Sequence, residues 1–299
     1  NLLGYDFYKA CIDKGAERVK DLGPVLGPYH PIVAENVSKL CGISGMDQVS
    51  FHMSGTEAVM QAVGLARYHT GRPNVVVFCG AYHGWWDGVQ PGVGGQRKSN
   101  DIYMLKEDSA DTLKVLETRS NIACVLINPL QALHLNRGAS SDAMLINSER
   151  GAGFSRQAYS RWLAQLRDVC TRKGIVMIMD EVFLGFRLGL GGAQEFFDVK
   201  ADMVTYGKTL GGGLPVGVLC GNAELLRRRR CFQPPGIAVL AAGADSKDGK
   251  REQNRNTSHI DFLFMRCRSF CITQALSCGR GGGHINHRKC PGRWFLGAV

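Results

Sequence analysis

The strongest constraint on the fold is an alternation. Short apolar runs near residues 48–52, 74–79, 122–127, 175–180, 202–206 and 216–220 are separated by segments of helical period near 31–41, 55–70, 108–119, 155–173 and 222–230. Runs such as Cys124-Val125-Leu126-Ile127 and Ile175-Val176-Met177-Ile178-Met179 carry no polar residue, the pattern of strands buried on both faces. Strands that alternate with helices predict an α/β fold, a mostly parallel sheet with helices on both faces. In such sheets ligands bind beyond the carboxyl ends of the strands, so the residues that follow each run are the ones to read.

Lys208 follows the run Met203-Val204-Thr205-Tyr206 and precedes Gly211-Gly212-Gly213. An amine at the end of a short strand, beside glycines, suits covalent capture of an aldehyde. Asp180 closes the run that starts at Ile175 and suits a fixed negative charge beneath a bound ring. Together they predict pyridoxal 5'-phosphate (PLP), whose chemistry needs a lysine on its aldehyde and an acid at its pyridine nitrogen. Upstream, Ser54, Gly55 and Thr56 stand at the start of the helical segment 55–70. Free N–H groups at a helix start hold phosphate. The same residues equally suit an ordinary cap, with Glu57 in the first turn. After Val75-Val76-Val77-Phe78 come Tyr82 and His83. An aromatic there can stack on a planar cofactor or pack as a rim residue.

The order of these pieces is specific: Ser54-Gly55-Thr56-Glu57-Ala58, then Gly80-Ala81-Tyr82-His83-Gly84, then Asp180-Glu181-Val182 with Gly185-Phe186-Arg187, then Tyr206-Gly207-Lys208 with the glycines and Pro215. Over roughly residues 20 to 226 it resembles the PLP-dependent class III aminotransferases. It is most similar to the glutamate-1-semialdehyde 2,1-aminomutase branch, and also to aminotransferase modules attached to polyketide and peptide synthetases. The resemblance implies fold type I, a homodimer, and a small-molecule amino or keto substrate. It implies that Lys208 holds the cofactor and shuttles a proton, and that Asp180 pairs with the pyridine nitrogen. Val182 and Tyr82 would cover the two ring faces. Gly55 and Thr56 would hold the phosphate with Ser54 beside them, and His83 would orient the loop. Tetrapyrrole synthesis would place such an enzyme in a bacterial cytoplasm, or in a plastid of an alga or plant.

Some positions depart from the family pattern. Asn128-Pro129 stands where the family has Glu-Pro, and Ala132-Leu133-His134 where the aminomutases carry an asparagine near the ring hydroxyl. Arg137 to Gly153 reads as an insertion at the mouth of the site. The chain starts at Asn1 without Met. The expectation is a truncated N-terminal segment over 1–47, a PLP-binding large domain over 48–226, and a basic tail over 227–299. In the tail the family pattern stops, so the small C-terminal domain is expected to be missing or aberrant. An altered reading of the gene would explain the break. An inactive fragment is therefore a further reading beside the two enzymes.

Charge marks the same boundary. The chain carries 36 Lys+Arg and 26 Asp+Glu, net +10. After residue 222 lie 14 basic and 5 acidic residues, which leaves 22 and 21 for the rest. The tail has no aromatic–basic rhythm, so it does not predict nucleic-acid binding. Six of the 11 cysteines are scattered through residues 1–222, a distribution of reduced thiols rather than a disulfide framework. Cys267, Cys271, Cys278, His284, His287 and Cys290 lack paired Cys-x-x-Cys spacing, so no metal site is expected. No run reaches the length that crosses a membrane.

Overall fold

The computed structural model describes residues 3–25, 30–89, 100–129, 155–227 and 239–241. The elements run α1 (Tyr5–Leu22), α2 (Pro31–Ser44), β1 (Gln48–His52), α3 (Gly55–Thr70), β2 (Asn74–Phe78), β3 (Ile102–Leu105), α4 (Ala110–Thr118), β4 (Ile122–Ile127), α5 (Arg156–Lys173), β5 (Val176–Asp180), α6 (Gly192–Phe197), β6 (Met203–Tyr206), α7 (Lys208–Gly211), β7 (Gly217–Gly221), α8 (Ala223–Leu226) and β8 (Val239–Ala241). The tail beyond 241, with its cysteines and histidines, lies outside the described residues, as do Ala132-Leu133-His134 and the stretch Arg137 to Gly153.

All eight strands form one sheet, in the order β3-β2-β4-β5-β6-β7-β1-β8. The block β3-β2-β4-β5-β6 is parallel throughout. β7 runs against both β6 and β1, and β8 against β1. The expected α/β sheet is thus present, with two reversed strands at one side. β4 and β5 are buried along their whole length, because both faces are covered. Alternate residues face opposite sides: Val125, Ile127, Met177 and Met179 pack with α2, α5 and α6, and Leu126 and Ile178 pack with α3.

Local chemistry sets the helix ends. Ser54 accepts from Glu57 N–H at 3.2 Å, and Glu57 accepts from Met53 N–H at 2.7 Å. These two bonds, one to the cap Ser54 and one from the residue before it, start α3 at a defined residue. Gly71 ends it in the left-handed region, φ 65°. Ser155 caps α5 in the same way, and Gly174 ends it. Five elements were not expected from the sequence. α1 begins beside the chain start, β3 is a half-exposed strand of four residues, α6 and α7 are short and glycine-bearing, and β8 lies in the segment expected to lack pattern. Cys11, Cys41, Cys79, Cys124, Cys170 and Cys220 are free thiols. Burial pushes the thiols of Cys124, Cys170 and Cys220 up to about 12, so they pack as small apolar groups. Among the described residues no helix is long and apolar enough to cross a membrane.

Candidate active site

Four segments meet at the carboxyl end of the parallel block: the start of α3, the loop after β2, the turn after β5, and the turn after β6. Each was singled out by a strand end in the sequence, and the sheet brings them together.

Asp180 is the last residue of β5 and is buried. Its Oδ2 accepts from His83 Nδ1 at 2.7 Å. Its Oδ1 accepts from Val182 N–H and from Thr205 Oγ1, both at 3.1 Å. His83 is as buried as Asp180, and its Nε2 has no hydrogen-bond partner. The sequence suggested only that His83 orients its loop; the structure makes it the direct partner of the acid. The available signal was alternation. In the extended loop Tyr82 points out, 50% exposed, and His83 points in.

Val182 joins the other segments. Its N–H is held by Asp180, and its carbonyl accepts from Lys208 N–H at 3.1 Å. Its side chain fills the space where a Cβ on Gly55 or on Gly207 would lie, 2.6 Å and 2.9 Å from Val182 Cγ1. A Cβ on Gly217 would lie 1.9 Å from the Ser54 carbonyl oxygen. Glycines therefore let the α3 start, the Val182 turn and the Lys208 turn close to backbone contact.

At the start of α3, Ser54 Oγ takes the Glu57 N–H and the Ser54 carbonyl takes the Ala58 N–H. The N–H groups of Gly55 and Thr56 have no acceptor within the helix. They are two adjacent donors at the positive end of a 16-residue helix. Gly84, φ 100°, lies against Thr56, since a Cβ there would meet Thr56 Oγ1 at 2.7 Å. Lys208 is exposed, and its Nζ lies 6.0 Å from the centre of the Tyr82 ring. Both side chains are exposed.

Two further buried groups flank the acid. Asn128 follows Ile127, whose partner in β5 is Met179, so it is the neighbour of Asp180 at the sheet end. It is buried, and its Oδ1 has no partner. Glu181 turns to the opposite face and accepts from Ala193 N–H at 2.9 Å. Burial raises its carboxyl to about 7.

These residues fit PLP. Two free N–H donors suit its phosphate. Val182 and Tyr82 offer the surfaces for its two faces, the buried carboxylate suits its pyridine nitrogen, and an open amine suits its aldehyde. The Aminotransferase class-III profile matches residues 27–236, more than half of the chain. The chain belongs to the class III aminotransferase family. Among curated class III relatives, the glutamate-1-semialdehyde 2,1-aminomutase of Acetivibrio thermocellus is 32% identical over 277 residues, 80% of this chain and 60% of that protein. That of Pelodictyon phaeoclathratiforme is 37% identical over 217 residues, 70% of this chain and 48% of that protein. This chain thus spans 48% to 60% of the length of those relatives. Among solved structures, a β-phenylalanine aminotransferase from Variovorax paradoxus is 28% identical with TM-score 0.55, over 72% of this chain and 46% of that one. A transaminase with PLP bound is 25% identical with TM-score 0.57, over 91% of this chain and 59% of that one. The cofactor expected from the sequence is the one bound in that neighbour.

Proposed function

We propose that this chain carries the PLP-binding half of an amino-group-transfer enzyme of the glutamate-1-semialdehyde 2,1-aminomutase kind. The observation that carries this reading is the convergence of the α3 start, buried Asp180 and open Lys208 on the one residue Val182. When bound, PLP supplies an electron sink for the bonding pair left when a substrate carbon loses its proton. The chain's residues do the rest. Lys208 Nζ would hold the cofactor by its aldehyde and, as a free amine, would take and return the proton at the substrate carbon. Asp180 would serve the ring nitrogen, its carboxyl group fixed by His83, Val182 N–H and Thr205 Oγ1. His83 holds that carboxylate in place. Gly55 and Thr56 N–H groups orient the phosphate, with the Ser54 hydroxyl beside them. Val182 and Tyr82 would hold the ring from its two faces.

In the aminomutase the amine returns to the neighbouring carbon, giving 5-aminolevulinate for tetrapyrrole synthesis. The second reading is an aminotransferase acting on a carrier-bound β-keto chain. It is supported by the amide at Asn128 in place of the family's acid, and by the likeness to a β-phenylalanine aminotransferase. In both readings the substrate is an amino or keto compound and two copies of the chain pair. The test is borohydride reduction of the purified chain with added PLP. Reduction should fix the cofactor on Lys208 in wild type and on nothing in Lys208→Ala. Loss of the label in wild type, or its survival in the variant, refutes the reading.

A further inference from the structure

Lys208 opens a helix of a single turn. α7 closes on two hydrogen bonds, Gly211 N–H to Gly207 O at 2.8 Å and Gly212 N–H to Lys208 O at 3.1 Å. A lone turn is not stable by itself, and Gly211, Gly212 and Gly213 give the chain after it wide conformational freedom. On its inner side the turn is tied to Val182. On its outer side it meets a residue 201 positions away in sequence from Thr209.

That residue is Tyr8. Its hydroxyl donates to the carbonyl of Thr209 at 3.0 Å. Thr209 O is one of the last carbonyls of α7, which have no acceptor role within the helix. The Tyr8 ring lies over Gly212, where a Cβ would sit 2.1 Å from ring carbon Cδ1. Gly212 is also at φ 56°, so glycine there serves both the left-handed turn and the close approach. Tyr8 is the one buried residue of α1; Tyr5, Phe7 and Ile12 of the same helix are exposed. Tyr8 docks this 18-residue helix on the turn that carries the lysine, and Arg18 adds an exposed ion pair to Glu35 of α2.

We infer that Tyr8 is a positioning residue: α1 clamps the α7 turn from outside and so holds Lys208 in place beside Tyr82. This rests on the proposed role of Lys208. Removing the clamp frees the Thr209 carbonyl and the glycine run, and the bound cofactor must then order the turn itself. The weakening of cofactor binding equals the stability lost by the turn.

The test compares wild type with Tyr8→Phe, which deletes one hydroxyl and keeps the ring. Amide hydrogen exchange is measured on the full chain without PLP. Gly211 and Gly212 should exchange about fivefold faster, the factor set by one hydrogen bond of ordinary net strength, while β4 and β5 amides keep their rates. PLP should bind about fivefold more weakly in a titration of its visible band. Tyr8→Ala, which also uncovers Gly212, should extend both effects. Unchanged exchange at Gly211 and Gly212 overturns the clamp. So does equal acceleration through the whole sheet, or wild-type PLP affinity in Tyr8→Phe. If borohydride fails to label Lys208 in wild type, the proposed function fails instead. The exchange rates, in which PLP takes no part, then decide the clamp.

Discussion

Gly217→Ala should damage this protein far more than the change of one hydrogen to a methyl suggests. Gly217 opens β7 and pairs with His52 at the end of β1. A Cβ there would lie 1.9 Å from Ser54 O, 2.4 Å from Ser54 C and 3.0 Å from Gly55 N. These are backbone atoms, so no rotamer change relieves the clash. Either β7 separates from β1 or the start of α3 moves. Overpacking of this kind costs about 1–3 kcal/mol, and Tm should fall by about 2–12 °C. The displaced atoms belong to the proposed phosphate seat. Loss of one hydrogen bond to a charged group weakens binding by about 10- to 100-fold, so PLP titration should register the change even in the protein that remains folded. Gly64→Ala is the control. It lies in the same helix, is exposed, and has nothing within 4 Å of its new Cβ. It should stabilise by about 0.5–1 kcal/mol. A Gly217→Ala protein with wild-type Tm and PLP affinity would refute the close-approach reasoning, as would equal losses in Gly64→Ala.

Two other outcomes follow from buried polar groups. The folded chain holds the Glu181 proton up to about pH 7, against an ordinary value of 4.5. The folded state thus binds more protons between those values, and stability falls as pH rises through that window, by no more than about 3 kcal/mol. Glu181→Gln should flatten the decline, so urea midpoints of the two proteins should converge below pH 5 and wild type should lag above pH 7; parallel curves would show that Glu181 does not titrate there. His83→Phe leaves Asp180 Oδ2 without its donor in a dry site and should destabilise by about 1–3 kcal/mol. An unchanged denaturation midpoint would mean that the 2.7 Å contact contributes nothing.

The sequence by itself determined the periodic parts of this molecule. β4 and β5 were legible because a strand covered on both faces must be apolar at every position. α3 was legible because Ser54 and Glu57 cap it through local bonds. Asp180 and Lys208 were legible because parallel strands present their ligand residues at one end. β7 was expected as a strand, but its reversed direction was not, since an apolar run carries no sign of which way it points. Only the tertiary structure decided the contacts between distant segments. His83 reaches Asp180 across 97 positions, and Tyr8 reaches the turn of Lys208 across 201. Val182 fills the space left by Gly55 and Gly207. Such contacts depend on the shapes of side chains that meet after the sheet has formed. Periodicity and end signals act over a few residues, and they do not encode which glycine will face which side chain once the strands are in order.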